Sequence, residues 1–378
     1  MKLRYKDLNN KNICCLYWAK NLALEEFEKE LSQTDLIQVW YPAKVDESIR
    51  AKYGDVISYI SLGGDWDREE HSREIDLRLS AEEIYGGMSS NRRYQVRRAN
   101  NIFNIVSVKP HIPTISELKD FINYFNKFAA HKGLVAINEN KLYAAREEQA
   151  LFISSSMYEE EAMTMHAYLR VAEENLVTLM NSCQRKDMEN NSQNNNIISA
   201  SNIKLHYDDM LSFKEQGLER YDLGGFRIKE KEICDPKEEA LLKIADFKEK
   251  LGGATTTYSA GFVIDGFLLR KLEKNIKLIA DMVLDKKLIL WGYGKYGKFS
   301  VKKLRDVGIK PHMIIDKNFT DQVEDEECTF SGISGLGRVE SDESMILICT
   351  DKPAYEDIMS DHKLDRFART GNVRWIME

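Results

Sequence analysis

The sequence has no apolar run near the roughly 18 residues a membrane helix needs. Its opening residues, Met1-Lys2-Leu3-Arg4-Tyr5-Lys6-Asp7, lack the apolar core of a secretion signal, so a cytoplasmic chain is expected. The six cysteines (Cys14, Cys15, Cys183, Cys234, Cys328, Cys349) show neither Cys-x-x-Cys spacing nor a dense framework. That excludes a disulfide scaffold, argues against zinc, and predicts free, mostly buried thiols and no metal site. Cys14 and Cys15 are adjacent, so in a strand they point to opposite faces. Neither sign of charge dominates: 54 Lys and Arg against 61 Asp and Glu leave a net charge of −7. That balance disfavours broad nucleic-acid binding but leaves room for a local basic groove.

With 43% hydrophobic and 30% charged residues, the composition is that of an ordinary globular protein, and 378 residues suit two or three domains. Apolar strands (Ile13 to Trp18, Leu36 to Tyr41, Ile57 to Leu62) alternate with helical stretches such as Ala23 to Ser32 in the first hundred residues. Residues 115 to 132 carry Leu118, Phe121, Ile122, Phe125 and Phe128 at helical spacing. Two strands follow, Ala162 to Ala172 and Leu176 to Gln184, joined by the short polar turn Glu173-Glu174-Asn175. The run Asn190-Asn191-Ser192-Gln193-Asn194-Asn195-Asn196 has no apolar periodicity and reads as a solvated loop before a helix over residues 198 to 216.

Tyr221-Asp222-Leu223-Gly224-Gly225-Phe226 and Phe247-Lys248-Glu249-Lys250-Leu251-Gly252-Gly253 each end in a glycine pair. Such pairs permit positive φ or close backbone approach. One reading is two ordinary turns. The other is a strand that breaks beside a carboxylate and opens a gap for substrate.

These two segments resemble the closing signature of Fem-type peptidyl and acyl transferases of the GNAT superfamily. Three further pieces fall in that family's order. Glu74-Ile75-Asp76-Leu77 resembles a strand, Ser89 to Ala99 resembles an arginine-rich helix, and Ser201 to Gly217 resembles the helix before the glycine-pair strand. The resemblance covers roughly residues 10 to 265. It implies an α/β protein of tandem GNAT-like lobes, residues 1–105 and 106–265. It also implies N-acyl or aminoacyl transfer to the amine of a nucleotide- or lipid-linked amino sugar in surface-polysaccharide synthesis. The implied donor is acetyl-CoA or another acyl-CoA, or an aminoacyl-tRNA. A catalytically inactive nucleotide-sugar-binding or assembly protein on the same body is the non-enzymatic alternative.

Within that frame Asp222 could hold or deprotonate an amine, and His206 is a second candidate base or else a structural histidine. Lys248, placed near the reaction centre by the resemblance, stabilises an oxyanion or is a solvated helix lysine. Arg92, Arg93, Arg97 and Arg98 concentrate positive charge on one helix. Either neighbouring carboxylates neutralise it, or Arg93, Arg97 and Arg98 bind a diphosphate. Ser199, Asn202, Gly224 and Gly225 complete the candidate substrate site. Ser199-Ala200 stands where relatives are expected to carry Gly-Arg, which leaves the donor open.

Residues 266–286 form a helical linker in which Leu269, Leu272, Ile276, Ile279 and Val283 make a two-heptad seam, for packing on the chain's own domains or for a homodimer. From residue 287 the pattern is strand, Gly292-Tyr293-Gly294-Lys295-Tyr296-Gly297, helix, strand, Asp316. This predicts a small Rossmann-like parallel-sheet domain over 287–378. It has room for one mononucleotide half, so a nucleotide-sugar is favoured over NAD. Gly292, Gly294 and Gly297 would face phosphate and Asp316 a ribose hydroxyl. Docking or assembly is the alternative use of the domain.

Overall fold

The structure, a computed structural model, describes the chain apart from residues 8, 18–21, 43–44, 60–68, 186–191, 227, 229–235, 284, 320–322, 325–327, 370 and 378. Trp18, Asn190, Asn191, Cys234 and the end of the expected strand to Leu62 therefore lie outside the described residues. The α/β class expected from the sequence is what the chain adopts. It divides into two compact units, each assembled from separate stretches. One comprises Met1–Leu22, Gln38–Val45 and Tyr59–Gly261; the other comprises Ala23–Ile37, Asp46–Ser58 and Phe262–Glu378.

The first unit opens with an antiparallel pair, β1 (Lys2–Lys6) and β2 (Asn12–Tyr17). Next come β3 (Glu69–Asp76), α1 (Ala81–Gly87), α2 (Ser90–Asn101), β4 (Val106–His111), α3 (Ile115–Lys132) and α4 (Glu139–Glu147). Then follow β5 (Leu151–Tyr158), β6 (Glu161–Val171), β7 (Leu176–Gln184), α5 (Ser192–Glu215), β8 (Arg220–Phe226), α6 (Pro236–Glu249) and β9 (Ala254–Ser259).

Local chemistry sets many of these limits. Ser80 with Glu83 and Thr114 with Glu117 form capping boxes at the starts of α1 and α3, each satisfying two backbone donors. Gly133, at φ 65°, closes α3 in the left-handed conformation. The buried face of α3 carries Leu118, Phe121, Ile122 and Phe125. Each fully buried side chain of this kind contributes about 1.5–3 kcal/mol.

Seven strands form one sheet in the order β9-β3-β8-β7-β6-β5-β4. Every neighbouring pair is antiparallel except β7 and β8. Helix α5 lies across β4, β5 and β6, with α2 packed against it. The helix begins earlier than its asparagine-rich sequence suggests, so Ser192 to Asn196 are helical rather than loop. Asparagine is a weak helix former, but Ile197 and Ala200 bury against Ala99, Ile105 and Met163, and packing overrides propensity.

In the second unit, α7 (Gly266–Met282) buries Leu269, Leu272, Ile276 and Ile279. The seam read from sequence thus packs within its own unit, against helix Leu24–Gln33 and α8 (Lys295–Asp306). Alongside run β10 (Lys287–Trp291), β11 (Met313–Ile315), β12 (Thr329–Ser331), β13 (Ser344–Ile348) and β14 (Val373–Trp375). These five are parallel, in the order β12-β11-β10-β13-β14, with the short antiparallel Val323–Glu324 beside β12. A Cβ on Gly297 would sit 1.9 Å from the Gly292 carbonyl oxygen, so α8 can approach β10 this closely only through a glycine.

The turn between α6 and β9 is constrained in the same way. Gly253 has φ 78°, and a Cβ there would lie 2.1 Å from the Glu74 carbonyl oxygen. Gly217 has φ 80° with open space around it. Gly217→Ala should therefore cost only the left-handed strain, about 1–2 kcal/mol. Gly253→Ala should cost clearly more, because β9 must also move off β3. Urea unfolding of both variants at one pH measures the difference; equal costs would refute the steric account.

Candidate active site

The parallel ladder between β7 and β8 is short. Arg220 pairs with Leu176, Tyr221 with Val177 and Asp222 with Thr178, and there it stops. Beyond that point β7 continues to Gln184 against β6. On its other side β8 bulges against β3 between Asp222 and Gly225. The positive φ of Gly224 (75°) makes the turn, and its backbone comes close to the Leu179 carbonyl. The strand does not end at the glycine pair as expected: it bulges there and pairs with β3 as far as Phe226, and what stops at Asp222 is its ladder with β7.

Asp222 sits at the break with no exposed surface. Its Oδ1 accepts from Ser72 Oγ and from the Gly224 N–H at 2.7 Å, and its Oδ2 accepts from Thr178 Oγ1 at 3.0 Å. Burial pushes its pKa up to about 6, although these three donors act against the rise. Lys248, on α6, donates from Nζ to the carbonyls of Gly224 at 3.0 Å and Gly225 at 2.6 Å. Burial lowers its pKa to about 8, while the Asp222 carboxylate pulls the other way. An ammonium has three protons. Two are used, and the third has no hydrogen-bond partner among the described residues. Asp222, Lys248, Gly224 and Gly225 thus lie together, but the carboxylate is enclosed, and among its described partners Thr178 is the one that lines a cavity.

Thr178 also lines a cavity of 330 Å³, together with Tyr41, Leu179, Met180, Asn181, Trp40 and Lys141. Tyr41 comes within contact range of Gly225, and burial with the nearby Asp222 charge raises its phenol pKa.

Behind the break runs a buried polar chain. Tyr168 Oη donates to Asp209 Oδ2 at 2.5 Å. Its single proton is then spent, so Tyr221 must donate across the 2.8 Å contact to Tyr168. By the same count His206 Nδ1–H donates to Tyr221 at 2.8 Å. His206 is 1% exposed, and burial with nearby His166, Lys248 and Arg92 lowers its pKa well below the ordinary value, so it is neutral. His166 bonds Asp209 and Asn202, the latter at 3.0 Å through Nε2. Asn202 is therefore part of this interior chain. Because α5 begins at Ser192, neither Ser199 nor Asn202 stands at a helix N-terminus.

The arginine helix α2 sorts its guanidiniums by face. Arg93 donates to the carbonyls of Gly86 and Met88, and Arg97 donates to Tyr85 Oη at 3.1 Å. Arg92 lies 4.6 Å from the centre of the Phe247 ring and Arg98 lies 4.8 Å from that of Phe103. Among the described residues none of the four forms an ion pair, although the Asp246 carboxylate acts on Arg92 through space. The Nε atoms of Arg92 and Arg98 and the Oε1 of Gln95 are buried without a partner.

In the second unit a 550 Å³ cavity opens at the carboxyl ends of the parallel strands. Gly292, Tyr293, Gly294, Lys295, Lys298, Asp316, Lys317 and Thr350 line it. Space beyond Gly294 is open, and Thr350 Oγ1 is buried without a partner. Gly297 serves helix packing instead. Asp316 accepts the Tyr293 N–H at 2.6 Å and the Asn318 N–H at 2.9 Å. It therefore braces the glycine turn, and the Tyr293 N–H is committed to it.

Sequence reading did not single out Ser72, Thr178, Tyr168, Asp209, His166 or Lys141. Only the register of three strands brings Ser72 and Thr178 beside Asp222, and no local spacing encodes that. Among the described residues no cluster of His, Cys, Asp and Glu could hold a metal ion, and no helix is long and apolar enough to cross a membrane.

No protein-family model matches the chain, and no curated protein matches it either. Solved structures similar to it include FemX (TM-score 0.46, 11% identity, covering 69% of this chain and 83% of that one). Others are the C-terminal domain of a putative lysylphosphatidylglycerol synthetase from Agrobacterium fabrum (TM-score 0.40, 12% identity, covering 75% and 88%) and L-PGS from Bacillus licheniformis (TM-score 0.40, 12% identity, covering 70% and 84%).

The raised pKa of Asp222 has a signed consequence for stability. Between its ordinary value of 3.8 and about 6, the folded protein holds a proton here that the unfolded chain has released. Stability contributed at this site therefore falls as pH rises through that window, by about 3 kcal/mol in total. Asp222→Asn should flatten the decline, seen as a smaller slope in urea-unfolding free energy from about pH 4 to about pH 7. Parallel slopes in variant and wild type would remove Asp222 as the source.

Proposed function

We propose that the first unit catalyses transfer of an acyl or aminoacyl group to the amine of a nucleotide- or lipid-linked amino sugar, as a Fem-type GNAT enzyme of cell-surface glycan synthesis. One observation carries the reading. The β7–β8 ladder ends at Asp222, with Lys248 Nζ fixed on the two glycine carbonyls and one N–H left over. The acceptor nitrogen attacks the acyl carbonyl carbon, and the developing oxyanion takes the remaining Lys248 proton as a hydrogen bond. The amine proton passes to Thr178 Oγ1, whose own proton moves to Asp222 Oδ2. As the carbonyl re-forms, the leaving thiolate or alkoxide departs with the bonding pair and takes a proton from Thr178 Oγ1, which Asp222 Oδ2 replaces. A carboxylate with pKa about 6 suits a relay working near neutrality. His206, neutral and enclosed, positions Tyr221 next to Asp222 rather than meeting substrate.

The phosphate-binding role expected of Arg93, Arg97 and Arg98 falls, in our reading, chiefly to Arg98 with Arg92, whose orphaned donors suit phosphate oxygens. The donor is an acyl-CoA or an aminoacyl-tRNA. The second unit we read as a Rossmann-like lobe for a nucleotide-sugar, supported by the open side of Gly294 and the unpartnered Thr350 hydroxyl. Lys295, Lys298 and Lys317 would face its phosphates.

The test is a screen of acyl-CoA thioesters and aminoacyl-tRNAs against nucleotide-linked amino sugars, with products followed by mass spectrometry. Activity should rise with deprotonation of Asp222 near pH 6 and fall with deprotonation of Lys248 near pH 8. Lys248→Ala and Asp222→Asn should each lower kcat about 10²-fold or more while the melting temperature stays within a few degrees. Full activity in both variants would sink the assignment. For the second unit, a uridine nucleotide-sugar should raise the melting temperature of the full chain, and Gly294→Val should abolish that shift. Equal shifts in variant and wild type would move the ligand elsewhere.

A further inference from the structure

Among the described residues, Lys141 is the only charged one lining the 330 Å³ cavity of the first unit. It lies in the first turn of α4, where Asn138 caps the helix by accepting the Lys141 N–H at 3.1 Å. Its Nζ stands 5.3 Å from the centre of the Tyr17 ring and 5.4 Å from that of Trp40. Those two rings are stacked, 6.3 Å apart at 11°. The ammonium makes no hydrogen bond or ion pair among the described residues. Burial holds its pKa below the ordinary lysine value.

A partly buried cation is costly without a counter-charge, and two aromatic faces return only part of that cost. Phe125, Leu142 and Met180 add apolar wall, while Val135, 90% exposed, marks an edge open to solvent. A cavity with an apolar side, a few polar groups (Asn138, Thr178, Asn181) and one cation without a counter-charge among the described residues is complementary to a compact, partly apolar body bearing one negative group. We propose that this cavity is a binding site for a small organic carboxylate. Its carboxylate pairs with Lys141 Nζ, and its apolar part lies against Phe125, Leu142 and Met180. The binding claim stands apart from the transfer reaction. Because Thr178 and Tyr41 belong to the same wall, a ligand seated here lies next to the sheet break.

The probes are N-acetyl-L-leucine and its neutral isostere N-acetyl-L-leucinamide, titrated into the full chain by calorimetry. The acid should bind at least ten-fold more tightly than the amide. In Lys141→Met, which keeps the apolar stem, that ratio should collapse to about one, and in Lys141→Arg it should persist. The Met variant should melt at or above the wild-type temperature, since removing an unpaired desolvated charge relieves a cost. Acid and amide binding alike to wild type would overturn the proposal. So would an unchanged ratio in Lys141→Met, binding of neither probe, or a large loss of stability in Lys141→Met, which would make the lysine a structural cation.

Discussion

The arrangement of the first unit depends on one enclosed carboxylate. Asp222 occupies the last position at which β7 and β8 pair, and its two oxygens gather Ser72 from β3, Thr178 from β7 and the Gly224 backbone from its own strand. Three strands are thus tied at the point where the sheet stops being continuous. A buried carboxylate is unfavourable by desolvation, and without these donors the penalty would be several kcal/mol larger. The same charge keeps Lys248 from losing its proton more readily, and Lys248 in turn fixes the two glycine carbonyls. Because these groups share partners, their contributions are coupled rather than simply additive.

The polar chain beneath it solves a different problem. His166, His206, Tyr168, Tyr221 and Asp209 lie inside a core that includes Phe152, Phe213 and Leu223. Their mutual hydrogen bonds, with the 4.3 Å approach of the two imidazole rings, leave few orientations open to any of them. Oδ1 of Asp209 is left without a partner, and burial raises that residue's pKa. An apolar replacement of the whole chain would not obviously be less stable. The chain's service is directional: it fixes Tyr221, and through Tyr221 the backbone position of Asp222.

What the sequence disclosed follows the range of the forces involved. Helix α3 is legible from Leu118 to Phe125 because an amphipathic face is a local pattern. The turn after β10 is legible because close helix packing demands glycine at Gly297. The glycine pairs marked the sheet break for the same steric reason. The start of α5 was not legible, because its asparagines are weak helix formers held by Ala99 and Met163 from other parts of the chain. Nor does a consecutive reading show that Ala23–Ile37 and Asp46–Ser58 cluster with Phe262–Glu378. Ser72, Thr178 and Lys141 have unremarkable neighbours in sequence. Their significance comes from register and from the walls of a cavity.

The four arginines of α2 show how one sequence pattern can divide into separate tasks. Their spacing concentrates charge that repulsion alone would make unfavourable. The fold separates them, so that Arg93 closes the carbonyl end of α1 and Arg97 meets Tyr85, while Arg92 and Arg98 lie over aromatic rings. The first two are held by these bonds, Arg93 through one terminal nitrogen and Arg97 through a single contact, and each keeps further N–H donors. The second two hold Nε donors out of water with nothing to receive them, a condition that costs about 1–3 kcal/mol per group. Burial also depresses the Arg92 pKa, against the pull of Asp246. Six residues apart, Arg92 and Arg98 point about 120° away from one another around the helix, so this cost is carried at two separate places. The ring beneath Arg92 is Phe247, the residue before Lys248, whereas the ring beneath Arg98 is Phe103, just past the end of α2, so the first arginine braces α6 and the second braces the chain leaving its own helix.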